Sequence, residues 1–280
     1  MMIYSILVAV FSTMTFLHFL GLYLLKVTKD ILPNQRLLMV NLAITEMSCS
    51  FWITIRYSVQ LNQGEWNRGW KIVDLFVLCV FYVSLRFIML HMVWDRFLKV
   101  HLNIKYAIYI NSKKLLAVIV MLWVISATFA LLFVILQEFV YGRKTTLCII
   151  ILTLIALDLL IVISIMITYT YFHQMVAKLS KQQAASPVYM QRTFRVPCFI
   201  VITYVIFNIT SNVLSAMAFF KVFSSKVNRI LNTGTFLLLV PAYLSDVCIY
   251  VFFQKEIRGT LLMMIKRKKR TAIATVSGTL

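Results

Sequence analysis

The chain has 280 residues, 61% of them hydrophobic and only 13% charged, and carries a formal net charge of +19. So apolar a composition excludes a soluble globule with an ordinary wetted surface and makes lipid the expected solvent. Seven Gly and four Pro leave little material for a turn-rich β architecture, and the long apolar runs lack the alternation of barrel strands. Helices, which pair their backbone groups within one segment, are therefore expected.

Crossing hydrocarbon takes about 20 apolar residues, and seven stretches qualify: Met2 to Lys26, Leu37 to Gln60, Trp70 to Lys99, Lys114 to Gln137, Thr146 to Phe172, Phe194 to Phe220 and Ile230 to Phe253. The first lacks the charged start and short core of a cleavable signal and reads as a span. After the seventh, Gln254 to Arg267 places Ile257, Leu261, Leu262 and Ile265 opposite Lys255, Arg258 and Lys266, the pattern of an amphipathic helix lying on the membrane face. The breaks are short, the longest polar stretch being Lys178 to Arg192. The expectation is an all-α membrane protein, a seven-helix bundle over residues 1–267 with a short tail over 268–280.

The basic residues stand in the breaks between apolar runs, which points to membrane topology and away from nucleic acid. With the N-terminus outside, 19 Lys and Arg face the cytoplasm and seven face outward. Retention of positive loops then gives an extracellular N-terminus and a cytoplasmic C-terminus, in the plasma membrane. The five cysteines are scattered without CxxC spacing, and His18, His91, His101 and His173 show no HxxxH or HxxH pattern. Neither a metal site nor a catalytic centre is expected, and no cofactor.

Charges within the spans carry the strongest physical signal, because an ionisable group there costs several kcal/mol (about 2.5–3.5 on insertion scales) unless it meets a partner or a cavity. Glu46 lies in the second span, Asp246 in the seventh, Asp158 in the fifth and Arg86 in the third, ten residues before Arg96. Arg86 needs an acid, with Asp158 the first choice and Glu46 the second. Nearer the outer side, Arg56 and Asp74 have two readings: a pair across the mouth of the bundle, or separate contacts with interfacial water.

Three further signals come in a fixed order: Asn41-Leu42-Ala43-Ile44-Thr45-Glu46 in the second span, Asp95-Arg96-Phe97 closing the third, and a lone Trp123 in the fourth, 27 residues after Arg96. Together they resemble the rhodopsin-like G-protein-coupled receptors, whose marks are N-L-A-x-x-D, D-R-Y and one Trp in those helices. Asp246-Val247-Cys248-Ile249-Tyr250 is similar to that family's N-P-x-x-Y, and the resemblance runs from Gly21 to about Lys266. The departures are Leu22 for Asn in the first span, Glu46 for Asp, Tyr204-Val205-Ile206-Phe207 where C-W-x-P is usual, and Lys71 for the Cys that opens the third helix. Cys148 therefore lacks its usual disulfide partner.

The resemblance implies a ligand-gated exchange factor with no covalent chemistry. It implies a heterotrimeric G protein and arrestin as cytoplasmic partners, and an extracellular ligand. Asp95, Arg96 and Phe97 would form the coupling switch, supported by Tyr250 and by Tyr169 or Tyr171, while Glu46 and Asp246 would line a polar pocket. Ligand-side candidates on inward faces of the outer half are Arg56, Asp74, Leu78, Tyr204, Asn208 and Asn212. The outer loop between Gln137 and Thr146 has under ten residues, which favours a small molecule or short peptide. Two other functions fit the same chain: a transporter or channel whose path is lined by Glu46, Asp246, Arg86 and Asp158, and a receptor that has lost signalling.

Overall fold

A computed structural model describes residues 2–28, 31, 33–63, 67–102, 105–140, 142–181, 201–203, 206–218, 220, 227, 235, 240–241, 244 and 257–263. Among them the regular structure is helical and no strand occurs. The helices are α1 (Met2–Val27), α2 (Pro33–Gln63), α3 (Arg68–Leu102), the short α4 (Tyr106–Tyr109), α5 (Ser112–Ile135) with a π-helical extension over Leu136–Val140, and α6 (Gly142–Lys181). They are followed by α7 (Val201–Ala218) and a last helix, α8, over residues 257–263. Six of these are long and apolar enough to cross a membrane: α1, α2, α3, α5 with its extension, α6 and α7. The chain is a multi-pass helical membrane protein.

The helices start where the sequence supplies a cap. Pro33 opens α2, a position where the missing N–H goes unmissed. The side chain of Asn67 accepts from the Trp70 N–H at 2.9 Å ahead of α3, and that of Asn111 accepts from the Lys114 N–H at 2.9 Å ahead of α5, each satisfying an orphan donor. Inside the spans, hydroxyls bond back to the carbonyl four residues earlier, as at Thr45, Ser126, Thr153 and Thr168. That satisfies the hydroxyl donors at those positions within their own helices.

Helix α3 is the central one, packed on α2, α5 and α6, while α1 packs on α2. Phe11, Leu42, Ile53, Leu85 and Ile88 are buried in the shared core. Phe16, Phe19, Val124 and Met166 point outward with more than half of their surface open. Large apolar side chains on the perimeter are what a lipid solvent requires.

The structure adds one element to the sequence reading and corrects two of its bounds. The break between the third and fourth expected spans contains a helix, α4, because Tyr106 is buried against α3. The connection between α5 and α6 is shorter than the one read from Gln137 to Thr146, since helix continues to Val140 and resumes at Gly142. The spans also overrun their apolar cores, α6 reaching Lys181 where Phe172 was expected. Helix α8 falls within the expected amphipathic segment. Ile257 is buried, Leu262 and Met263 are exposed, and the Thr28 hydroxyl donates to Thr260 at 3.2 Å. Of the seventh expected span, only residues 235, 240, 241 and 244 are described. Tyr204, Asp246 and Tyr250 lie outside the described residues.

Candidate functional site

Three groups of polar side chains stand along α3, from Asp74 near its start to Asp95 near its end, and a fourth lies between α1 and α2. At the Asp95 end, α3 presents Asp95 and Arg96, both buried. The Arg96 Nε stands 3.6 Å from the Asp95 carboxylate, and the Lys99 ammonium 4.0 Å from it. Both separations exceed the roughly 2.7–2.9 Å of a charge-assisted hydrogen bond. The close contact is instead the Tyr106 hydroxyl, which donates to Asp95 from α4. Burial, followed by the Asp95 charge, holds the Tyr106 phenol well above its usual range, so it stays protonated and remains a donor. Helix α4 is fastened in turn to α2, where Asn34 donates to the Ile110 carbonyl at 3.1 Å and accepts from the Ser112 hydroxyl at 2.8 Å.

Beside this group an aromatic clasp joins α3 to α6. The Phe97 ring lies parallel to His101 at 5.7 Å and tilted on Tyr171 at 5.2 Å, and His101 Nδ1 is 2.9 Å from the Tyr171 hydroxyl. Tyr171 is therefore the α6 tyrosine that meets the Asp95 end. Tyr169, its alternative, points outward with 59% of its surface open and lies tilted against His173. Two residues apart on a helix means about 200° of rotation, so one of the two had to face away.

At mid-depth Arg86 and Asp158 meet as expected. The guanidinium Nε is 3.1 Å from one carboxylate oxygen of Asp158 and Nη2 is 3.3 Å from the other, a two-point contact that suits the planar fork of Arg. Both are almost fully buried. Arg86 also donates to the Tyr82 carbonyl at 2.9 Å, and Asn212 on α7 donates to Asp158 at 2.6 Å. Asn212, expected among ligand-side residues, thus belongs to this central group, which ties α3, α6 and α7 together. Asn208, a turn away, is buried.

Glu46 takes a partner that the charge reading did not consider. His18 of α1 approaches it with Nδ1 at 3.5 Å, and both side chains are buried. Arg86, the other candidate for Glu46, is held by Asp158. A signal for His18 was present: Leu7, Phe11 and Met14 precede it at helical spacing on the buried face of α1, so a polar residue continuing that stripe had to point into the bundle. Close by, the Trp123 indole N–H donates to the Asn41 side chain at 3.0 Å, joining two of the residues that carry the family resemblance.

At the Asp74 end, Arg56 and Asp74 do form the pair across the mouth, at 3.4 Å and partly open to solvent. Trp52 donates to Asp74 at 3.1 Å, and Arg56 lies over the Tyr57 ring at 5.9 Å. Leu78, one turn further in, is buried in the main core. Among the described residues, Cys49, Cys79 and Cys148 form no disulfide. No protein-family model matches the chain, and no curated protein matches its sequence. The arrangement itself offers a pair of charges held loosely at one end, a partly open charged mouth at the other, and a buried ionic joint between them. That layout can relay a change of packing along α3.

Proposed function

We propose that the chain is a rhodopsin-like G-protein-coupled receptor: a seven-helix bundle in the plasma membrane, with the Asp74 end and N-terminus extracellular and the Asp95 end cytoplasmic. The observation that carries this reading is the Asp95 group. An Asp-Arg pair closes the central helix, is kept from water, and is held at a separation that leaves the guanidinium free to exchange partners. The contact of Asn41 with Trp123 adds support, because it brings together two residues that carry the resemblance from separate spans.

A small molecule or short peptide binds at the Asp74 end and favours the open cytoplasmic face by its higher affinity for that state. The change passes through the Arg86, Asp158 and Asn212 joint, which senses any relative movement of α3, α6 and α7. Opening separates α6 and α7 from α3, parts the clasp of Phe97, His101 and Tyr171, and releases Arg96 from Asp95 to contact a heterotrimeric G protein. Arrestin binds the same face.

The test is substitution of Arg96. A contact built on directed guanidinium donors is not reproduced by an ammonium. Arg96→Lys is expected to reach the cell surface at wild-type levels and to lose at least four fifths of basal cAMP or calcium signalling. Full signalling in that variant would remove the coupling role. The buried pairs His18–Glu46 and Arg86–Asp158 favour a second reading, an ion or proton path, for which Glu46→Gln would abolish flux and Arg96→Lys would leave it intact.

A further inference from the structure

The charges at the Asp74 end are held differently from those deeper in the bundle. The Arg86–Asp158 and Arg96–Asp95 pairs are shut away from solvent, whereas Arg56 keeps 22% and Asp74 14% of its side-chain surface open. Their approach at 3.4 Å exceeds the roughly 2.7–2.9 Å of a charge-assisted hydrogen bond. Each is instead oriented by an aromatic neighbour on α2. The Trp52 indole N–H donates to Asp74 at 3.1 Å, and the Arg56 guanidinium lies over the Tyr57 ring at 5.9 Å. The mouth therefore presents two opposite charges, oriented separately and both partly open.

Opposite charges this close together select against a ligand with a single charge. A lone ammonium drawn to Asp74 meets Arg56 at nearly the same distance, and a lone carboxylate drawn to Arg56 meets Asp74. In either case attraction and repulsion largely cancel. A ligand that carries both charges is attracted at each end, provided that they stand a few ångströms apart as the pair does. In an α-amino acid the ammonium nitrogen and the carboxylate carbon are two bonds apart, roughly 2.5 Å by standard bond lengths and angle. The ends of an extended peptide draw apart by about 3.3–3.6 Å for each residue added, which takes them out of reach of one pair. Beside the pair, Tyr4 of α1 stacks on Tyr57 with ring centres 5.9 Å apart and leaves 40% of its surface open, offering an aromatic surface to the side chain of such a ligand.

We propose that the Asp74 end is a binding site for a free α-amino acid, with its carboxylate on Arg56 and its ammonium on Asp74. Arg56 supplies the planar fork that a carboxylate accepts at two points. Trp52 occupies one oxygen of Asp74, and the other, nearer Arg56, receives the ammonium. The proposal names the ligand class of the receptor and rests on that reading for the outward facing of this end.

The test is thermal unfolding of the purified full-length chain with the proteinogenic amino acids supplied one at a time. At least one is expected to raise the unfolding temperature progressively with its concentration. Its N-acetyl derivative, which lacks the ammonium, and its decarboxylated amine, which lacks the carboxylate, should give no shift at the same concentrations. Arg56→Gln and Asp74→Asn should each weaken binding about tenfold or more, as loss of one hydrogen bond to a charged group implies. No shift with any amino acid overturns the proposal, as does an equal shift with either derivative or full affinity in both variants. The comparison of derivatives uses the unaltered chain and decides the matter even if a variant fails to fold. Binding is read without a G protein, so the two failures are distinct. Guanine-nucleotide exchange with no amino-acid shift removes the amino-acid site alone, and a shift with no exchange removes the receptor reading alone.

Discussion

Asp95 is held more closely by Tyr106 than by its neighbour Arg96, and this ordering of contacts governs what single substitutions should do. Tyr106→Phe deletes one hydroxyl and leaves a buried carboxylate with two ion-pair partners at 3.6 and 4.0 Å. Loss of a hydrogen bond to a charged group costs about 1.5–3 kcal/mol. The variant should unfold at lower temperature and show basal signalling raised two- to threefold, because Asp95 then restrains Arg96 less firmly. The phenol pKa is raised by burial and by Asp95. Its contribution is therefore complete below the ordinary phenol value near ~10 and fades only as the pH climbs through the raised one. The stability difference between wild type and Tyr106→Phe should accordingly stay flat from pH 6 to 7. A difference that titrates in that window would show that a group other than the phenol sets it.

At mid-depth, removing one member of a buried ion pair strands the other, at a cost of roughly 3–5 kcal/mol. Arg86→Met should therefore destabilise the purified protein strongly. The double variant Arg86→Met, Asp158→Leu should recover most of the loss in thermal unfolding, since replacing both partners by apolar groups of similar size is close to neutral. Additive losses would mean that the two side chains act separately.

Among the elements, α3 carries the Asp74, Arg86 and Asp95 groups, and α6 and α7 meet it at the Arg86 joint. The long spans were legible in the sequence because lipid demands unbroken apolar runs, and the pairing of Arg86 with Asp158 was legible because a guanidinium in hydrocarbon must find an acid. Other features were not. Helix α4 depends on Tyr106 folding back onto α3, which leaves no periodic trace in a four-residue element. Tyr169 and Tyr171 are chemically alike, and only the rotation of α6 tells them apart. His18 was legible from its stripe and was overlooked because histidines were weighed as metal ligands and bases. The start of α6 carries its own prediction. Cys148, of intermediate exposure in the second turn, forms no disulfide among the described residues, while Cys79 is buried in α3. A membrane-impermeant maleimide should modify Cys148 on intact cells without prior reduction. Labelling that requires a reductant would reveal a disulfide, and labelling only after permeabilisation would reverse the proposed orientation.

For the whole molecule, the described helices make a membrane bundle whose polar groups form a ladder from Arg56–Asp74 through Arg86–Asp158 to Asp95–Arg96. A receptor needs such a ladder to join a ligand at one face to a partner at the other. A transporter needs it to carry ions, and then its sensitivity lies at Glu46 and not at Arg96. The most direct measurement is guanine-nucleotide exchange on purified heterotrimeric G proteins of each class, catalysed by the reconstituted full-length chain without added ligand. The wild type is expected to accelerate exchange on at least one class, Asp95→Asn to raise that rate severalfold, and Arg96→Lys to return it to background. Exchange at background for all three proteins with every G-protein class, together with ion flux that Glu46→Gln abolishes, would contradict the receptor account.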